Sequence, residues 1–494
     1  GLGDVYKRQV LALSMLGCAT AEEAAAPKYV FMFIGDGMGS PQVSATQYFL
    51  GTLQNPDATL PTPAELSFTT FQNVGIMTTY DASSFCPDSA STATSMASGE
   101  KTLSGVINYN IDKTEPFKII TEYAKEAGKK VGVISTVSLN HATPAAYYAK
   151  MPSRNDYYDI AVQGITGDTL DFIGGGNWNQ PDGDGTQANL YDLAKENGFN
   201  VVNTNEGIRA INAESGRTLA VVPDPNDDYA MQYEIDRLRL EAQGTDSLAL
   251  SEIVKAAIAN LDNENGFFLM TESGKIDWAC HANDAAASIH DVLEMSNAVQ
   301  AAVDFYNAHP NDTLILVTAD HETGGMAIGY KTTNYDTFLT NLAHQKMSYA
   351  KFDSTYVNNY VKNRTPFETA MQDVKANFGL TLPTDPDAAN AGKLLLTDYE
   401  VENLRTAYER TLKVGSSSQS KMSQQDYELY GTYIPFSMAI CHTINHKSGV
   451  DHTTYAHTGA MVNLYARGQG ADKFRGVYDN TEIFHKLAEL TDVQ

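Results

Sequence analysis

The chain has 494 residues, 43% hydrophobic and 19% charged, which excludes an intrinsically disordered polymer. That length allows about three domains, or one large α/β domain with insertions. Acidic residues outnumber basic ones 60 to 34, for a net charge of −26, so a nucleic-acid binder relying on a basic face is not expected.

The first residues read as an export leader. Lys7 and Arg8 precede the apolar run Val10 to Leu16, and Ala19-Thr20-Ala21 offers a signal-peptidase site. Two other readings stand beside it: lipid attachment at Cys18 and a non-native extension. Residues 1–27 are therefore expected to be a leader, and the mature protein periplasmic or secreted. No later segment has 18 or more continuous apolar residues, so no membrane span is expected. The cysteines are Cys18, Cys86, Cys280 and Cys441, with no Cys-x-x-Cys or finger spacing.

Next along the chain come apolar strands that end in polar turns. Tyr29–Ile34 runs into Gly35-Asp36-Gly37-Met38-Gly39, and Val131–Ile134 runs towards Asn140-His141-Ala142-Thr143. Phe267–Met270 ends at Glu272, and Leu314–Thr318 ends at Asp320-His321. Continuous apolar runs of this length suit strands buried on both faces. Helical patterns fall between them, at Phe117–Ala127, Leu248–Leu261 and Ala285–Phe305. The alternation predicts an α/β fold with a doubly wound, mostly parallel central sheet, and a ligand site beyond the carboxyl ends of its strands.

Residues 331–450 have a different character. They are rich in Tyr and Asn and poor in long apolar strands. A helix is expected at Leu396–Lys413, opened by a Thr397-x-x-Glu400 capping box, and a flexible loop at Gly415–Ser420. This region is expected to interrupt an α/β core of residues 28–330 and 451–494.

The chemistry lies in Asp, His and one Ser. Asp277 and His281, four apart, share a face on a helix or turn. Asp320 and His321 are adjacent at a strand end, Asp36 sits in a glycine-rich turn, and His457 precedes a possible strand at Met461–Tyr465. Such carboxylate and imidazole sets suit Zn²⁺. Six ligands would serve two ions, an arrangement that favours in-line phosphoryl transfer. Ser89, in Cys86-Pro87-Asp88-Ser89-Ala90, is the candidate nucleophile at a helix N-terminus, where dipole and free N–H groups favour an alkoxide and a phosphate. Arg154 is a candidate for forking onto phosphate oxygens. The loop after Ile34 lacks the third glycine of a dinucleotide motif, Ser273-Gly274-Lys275-Ile276 is not a P-loop, and no Gly-x-Ser-x-Gly elbow occurs.

Seven motifs in the same order resemble the alkaline phosphatase family: Gly35-Asp36-Gly37-Met38-Gly39, Asp88-Ser89-Ala90, His141 through Ala146, Ser153-Arg154, Glu272 through His281, Thr318-Ala319-Asp320-His321 and His457-Thr458-Gly459. The resemblance runs from the Phe31 strand to about Tyr465. It implies a first zinc site at Asp277, His281 and His457, and a second at Asp36, Asp320 and His321, where Ser89 also binds. It implies a third site, usually magnesium, at Asp36, Thr143 and Glu272. It makes Ser89 the phosphorylated serine and Arg154 the phosphate clamp, with His141 and Trp278 near the substrate. The pairing of His141 with Trp278 resembles the marine bacterial (Vibrio-type) branch, and the long stretch between His321 and His457 resembles that branch's large loop over a homodimer. The expected activity is hydrolysis of phosphate monoesters, with broad specificity, through a phosphoserine. Two alternatives remain at this stage. One is a related phosphodiesterase, sulfatase or mutase, although Cys86-Pro87-Asp88-Ser89 does not fit a Cys-x-Pro-x-Arg motif. The other is a zinc- or phosphate-binding protein without turnover.

Overall fold

A computed structural model describes residues 26–225, 227–415 and 422–491. Residues 1–25 of the expected leader, Cys18 among them, and most of the loop expected at Gly415–Ser420 lie outside the described residues.

Ten strands form one sheet. In chain order they are β1 (Tyr29–Gly35), β2 (Asn73–Thr78), β3 (Lys130–Ser135), β4 (Phe172–Gly175), β5 (Asn200–Val202), β6 (Thr218–Val221), β7 (Phe267–Ser273), β8 (Thr313–Thr318), β9 (Val462–Gly468) and β10 (Gly476–Asp479). The spatial order is β10-β2-β9-β8-β1-β7-β3-β4-β6-β5. Every residue of β1, β7 and β8 is buried, as expected of apolar strands covered by helices on both faces. All neighbours pair in parallel except β9, which runs antiparallel to both β8 and β2. Its first residues therefore lie beside the carboxyl end of β8, with Leu464 opposite Thr318. That reversal brings the segment just before β9 to the same sheet edge as the ends of β1, β7 and β8.

The helices used below are α1 (Ser40–Gln54), α2 (Ser89–Ser98), α3 (Ile120–Glu126), α4 (Ala142–Ala145), α5 (Leu250–Leu261), α6 (Lys275–His281) and α7 (Ala285–Ala308). The helix expected from Phe117 begins three residues later, because the Phe117 amide donates to the Asn108 carbonyl and holds that segment in a loop. Glu272 was expected beyond a strand end and instead lies inside β7.

Ala327–Ile328 pairs antiparallel with Val450–Asp451, and the chain between these short strands is mostly helical. It contains α8 (Phe367–Phe378), α9 (Asp398–Val414), α10 (Gln424–Tyr430) and α11 (Pro435–Ser448). Thr397 and Glu400 form the reciprocal capping box of α9. These helices bury a second apolar cluster around Phe352, Tyr408 and Phe436, which continues onto Phe49 of α1 and Ala285 and Ile289 of α7. Among the described residues, no helix is long and apolar enough to cross a membrane.

Candidate active site

The carboxyl edge of the sheet gathers the acidic and imidazole residues. Asp36 occupies the turn after β1, and Gly37 follows with φ +70°, in the left-handed region that favours glycine. The Gly37 amide donates to Asp320 Oδ1 at 3.2 Å, tying the β1 turn to the end of β8. Glu272 stands beside Ile34 across the β1–β7 pair. Asp277 and His281 lie one turn apart on α6. His457 and Thr458 pair with Glu322 and Thr323 in a two-stranded ladder, so His457 arrives beside His321. The His321 and His457 rings stack with centroids 3.6 Å apart.

Among the described residues, three groups place ligand atoms within 4.8 Å of one another: Asp277, His281 and His457; Asp36, Asp277 and His321; and Asp36, His141 and Glu272. The first is the set expected from the sequence. In the second, Asp320 is also close, its Oδ2 3.2 Å from His321 Nε2, while Asp36 Oδ1 is 3.3 Å away. In the third, Thr143 Oγ1 lies 3.5 Å from Asp36 Oδ2, and His141 joins the acids.

Hydrogen bonding fixes how the imidazoles face. His281 Nδ1 is 2.6 Å from the Tyr455 carbonyl, and His457 Nδ1 is 2.6 Å from the Pro87 carbonyl. Both carbonyls only accept, so both Nδ1 atoms carry the proton. His321 Nδ1 is 3.2 Å from Thr323 Oγ1, whose own proton goes to Asp277 Oδ1 at 2.5 Å. All three Nε2 lone pairs then point inward at carboxylates and at each other. His281 Nε2 and His457 Nε2 are 3.0 Å apart, and Asp277 oxygens stand 3.3 and 3.5 Å from them. Facing lone pairs and carboxylates need positive charge between them. Asp36 Oδ1 and Glu272 Oε1 are buried without any hydrogen-bond partner, which is what ligand atoms awaiting a cation look like. Imidazoles whose far nitrogen is anchored to a carbonyl are the usual form of metal-ligating histidine.

The electrostatics agree. Asp36, Asp320, Glu272 and Asp277 are all buried. Burial, with the neighbouring carboxylates, pushes Asp36 well above the usual carboxylate range and Asp320 up to about 6. Burial raises Glu272 to about 7, against hydrogen bonds from Ser135 and others. Although burial opposes it, the adjacent His281 and His457 hold Asp277 well below that range. Against the cost of its own burial, His281 is raised to about 9 by the Asp277 carboxylate. In the bare chain, protons supply the positive charge for which the geometry calls.

Ser89 opens α2, with Asp88 as the N-cap accepting from the Ser91 amide at 3.0 Å. Apart from Met96, α2 is built of small residues, and all of them are buried, which lets the helix start press against the sheet edge. Ser89 Oγ lies 3.2 Å from His321 Nε2, so the hydroxyl adjoins the second group. The Arg154 guanidinium is held by Asp88 Oδ2 at 2.9 Å and lies 3.1 Å from His141 Nε2. Burial and the Arg154 charge lower His141 to about 3, so its ring is neutral. Trp278 meets His141 edge-on at 6.1 Å and carries the Lys275 ammonium over its face at 4.5 Å.

All twelve residues singled out from the sequence fall in this one region or on its rim. Sequence reasoning missed Thr323, which links His321 to Asp277, and Thr92, whose hydroxyl donates to Asp320 Oδ2 at 3.1 Å. It also missed Glu322, which collects Gln42, the Gly325 and Met326 amides and the Thr458 hydroxyl to hold the His457 ladder in place. The one available signal was the unbroken polar run Asp320–Thr323 after an apolar strand.

A mostly parallel sheet, a serine at a helix start and ligand groups for closely spaced cations define a metal-dependent phosphoryl-transfer hydrolase. A family model described as alkaline phosphatase matches residues 27–493. Alkaline phosphatase 3 of Bacillus subtilis is 30% identical over 494 residues, spanning 96% of this chain and 93% of that protein. Among solved structures, the cold-active alkaline phosphatase of the psychrophile Shewanella sp. is 27% identical with a TM-score of 0.75, over 94% of this chain and 99% of that one. The Thermus thermophilus enzyme is 25% identical with a TM-score of 0.76, over 96% and 93%. The chain belongs to the alkaline phosphatase family, and it is a metal-dependent phosphomonoesterase.

Proposed function

We propose that Ser89 is the nucleophile of this phosphomonoesterase, that Arg154 clamps the phosphoryl group, and that the surrounding acids and imidazoles hold three cations. Asp277, His281 and His457 would hold one zinc ion, and Asp36, Asp320 and His321 a second. Asp36, Thr143 and Glu272, an all-oxygen set, suit magnesium, with His141 beside them. When bound, the cations supply Lewis-acid stabilisation of charge on the transferring group and on the attacking and leaving oxygens.

The chain's own residues do the remaining work. The N-terminal dipole and free amides of α2 favour an anionic Ser89 oxygen, which attacks phosphorus in line as the ester P–O bond opposite it breaks, so that the alcohol leaves with a proton and Ser89 becomes phosphoserine. Water attacks that ester in a second displacement, returning serine and free phosphate. Asp88 pre-orients Arg154 so that its fork is ready for two phosphoryl oxygens. His141 and Trp278 border the same space, and they support a place for this chain near the marine bacterial branch. The single observation that carries the reading is the set of three imidazole lone pairs converging on carboxylates beside Ser89.

The helical stretch between the paired strands at 327–328 and 450–451 supports treating residues 331–450 as one insertion in the core. Val74, Ile76, Tyr80, Phe85, Met461 and Val477 are exposed around the β10–β2–β9 edge, which supports a homodimer formed there. The basic-then-apolar start of the chain supports export to the periplasm or beyond.

Ser89→Ala tests the mechanism. Turnover of p-nitrophenyl phosphate is expected to fall to a trace, while zinc content stays near that of the parent. A variant that keeps near-parental rates ends the assignment.

A further inference from the structure

Asn283 lies two residues beyond His281 and takes a left-handed backbone, φ +50°. Its amide Nδ2 donates to the Cys280 and Thr454 carbonyls, each at 3.0 Å. Those two acceptors fix which way the amide points, so Oδ1 is an acceptor, and His442 Nε2 donates to it at 3.1 Å. The Asn283 carbonyl accepts from Asn445 Nδ2 at 2.7 Å. His442 and Asn445 are three residues apart on α11 and so share a face. Thr454, which Asn283 holds, immediately precedes Tyr455, whose carbonyl anchors His281 Nδ1. The Tyr455 hydroxyl in turn donates to the Leu429 carbonyl of α10 at 2.6 Å. Two residues on stands His457. Hydrogen bonds therefore lead from the helices at 424–448 to Asn283 and the Thr454–Tyr455 segment, whose main chain holds the His281 ring through the Tyr455 carbonyl and continues two residues on to His457, whose ring is held by the Pro87 carbonyl. His442 also lines a cavity of about 380 Å³ with Tyr427, His446 and Tyr455, so open space rather than packed side chains flanks this link.

We propose that Asn283, His442 and Asn445 are positioning residues: through them the helical layer sets the orientation of His281 and His457, and with it the grip on the cation held there. The proposal rests on reading Asp277, His281 and His457 as a zinc site. Partners of metal-ligating histidines change metal affinity about 10- to 100-fold when removed. These residues act one step further out, so the lower figure is expected.

The test follows zinc leaving the loaded holoenzyme into a chromogenic chelator. In His442→Ala and in Asn283→Ala, one zinc ion per chain is expected to leave about tenfold faster, the other at the parental rate. In His442→Gln, whose side-chain amide still donates to Asn283, release is expected to return to within about twofold of the parent. The fast ion is assigned in an Asp36→Asn background, which keeps the Asp277–His281–His457 set intact and must still show it. Unchanged release from both alanine variants overturns the proposal. So does equal loosening of all ions, or a glutamine variant as fast as the alanine one, since either result means a general loosening of the fold. A parent chain that retains no zinc overturns the metal reading itself, a result distinguishable from failure of the brace.

Discussion

Gly37→Ala probes a closely packed point of the site. Gly37 has φ +70°, and a Cβ there would lie 2.7 Å from Thr323 Oγ1, 2.9 Å from Thr323 Cβ and 3.1 Å from the Asp277 Cα. The left-handed backbone costs an alanine about 1–2 kcal/mol. Wedging a methyl group into a packed interior adds about 1–3 kcal/mol. The sum is a loss of about 2–5 kcal/mol in folding stability. The larger effect is on chemistry, because the atom that must yield is the Thr323 hydroxyl, which joins Asp277 to His321. Displacements near 1 Å at a positioned site cost about 100-fold in rate. Gly185→Ala is the matched control: φ is +80°, and nothing lies within 4 Å of its built Cβ. Denaturant midpoints, zinc content and kcat/KM for p-nitrophenyl phosphate should be measured on both. Gly37→Ala is expected to lose stability, zinc and about two orders of magnitude in kcat/KM, while Gly185→Ala loses about 1 kcal/mol and no activity. Two variants with the same modest stability loss and full activity would refute the reasoning.

Arg154→Lys removes a fork that a point charge cannot replace, and kcat/KM should fall about 10- to 100-fold with metal content unchanged; parental kinetics would remove Arg154 from the phosphate site. Asp353 accepts a hydrogen bond from Ser437, and burial pushes its carboxyl up to about 8. A folded-state pKa above the unfolded one means that stability is lost as pH rises from about 4 through about 8. Asp353→Asn should therefore gain stability progressively across that window and hold a plateau of about 2 kcal/mol above it, the full linkage figure being reduced for partial exposure. Urea midpoints at pH 5, 7 and 9 that shift equally would contradict this. Ile76→Lys combined with Val477→Lys places charge on adjacent exposed strand positions and should convert a dimer to monomers in sedimentation; an unchanged dimer puts the interface elsewhere.

Much of this was written in the sequence because burial on both faces leaves few choices. β1, β7 and β8 had to be apolar along their length, and the polar residues that follow them stand out by contrast. Asp277 and His281 were recognisable as a pair because helical spacing superposes them, and α9 announced its start through Thr397 and Glu400. Thr143 and Glu272 stood out only as polar residues after apolar strands, and the family resemblance alone suggested that they hold a cation. The anchors of His281 and His457 are main-chain carbonyls of Tyr455 and Pro87, and any residue type supplies a carbonyl, so no pattern marks them. The direction of β9 was equally hidden, because an apolar strand reads the same either way. Asn283 escaped notice because its role comes from a left-handed turn and from donors more than 150 positions away.

The reversal of β9 also has a bearing on biogenesis. In the proposed centre, His457 is a residue that the ribosome adds more than four hundred positions after Asp36. A chain still being synthesised, or a fragment clipped ahead of that point, lacks the imidazole that stacks on His321. Assembly of the proposed centre therefore waits until both of these distant segments have been made, and contacts between such remote segments form slowly.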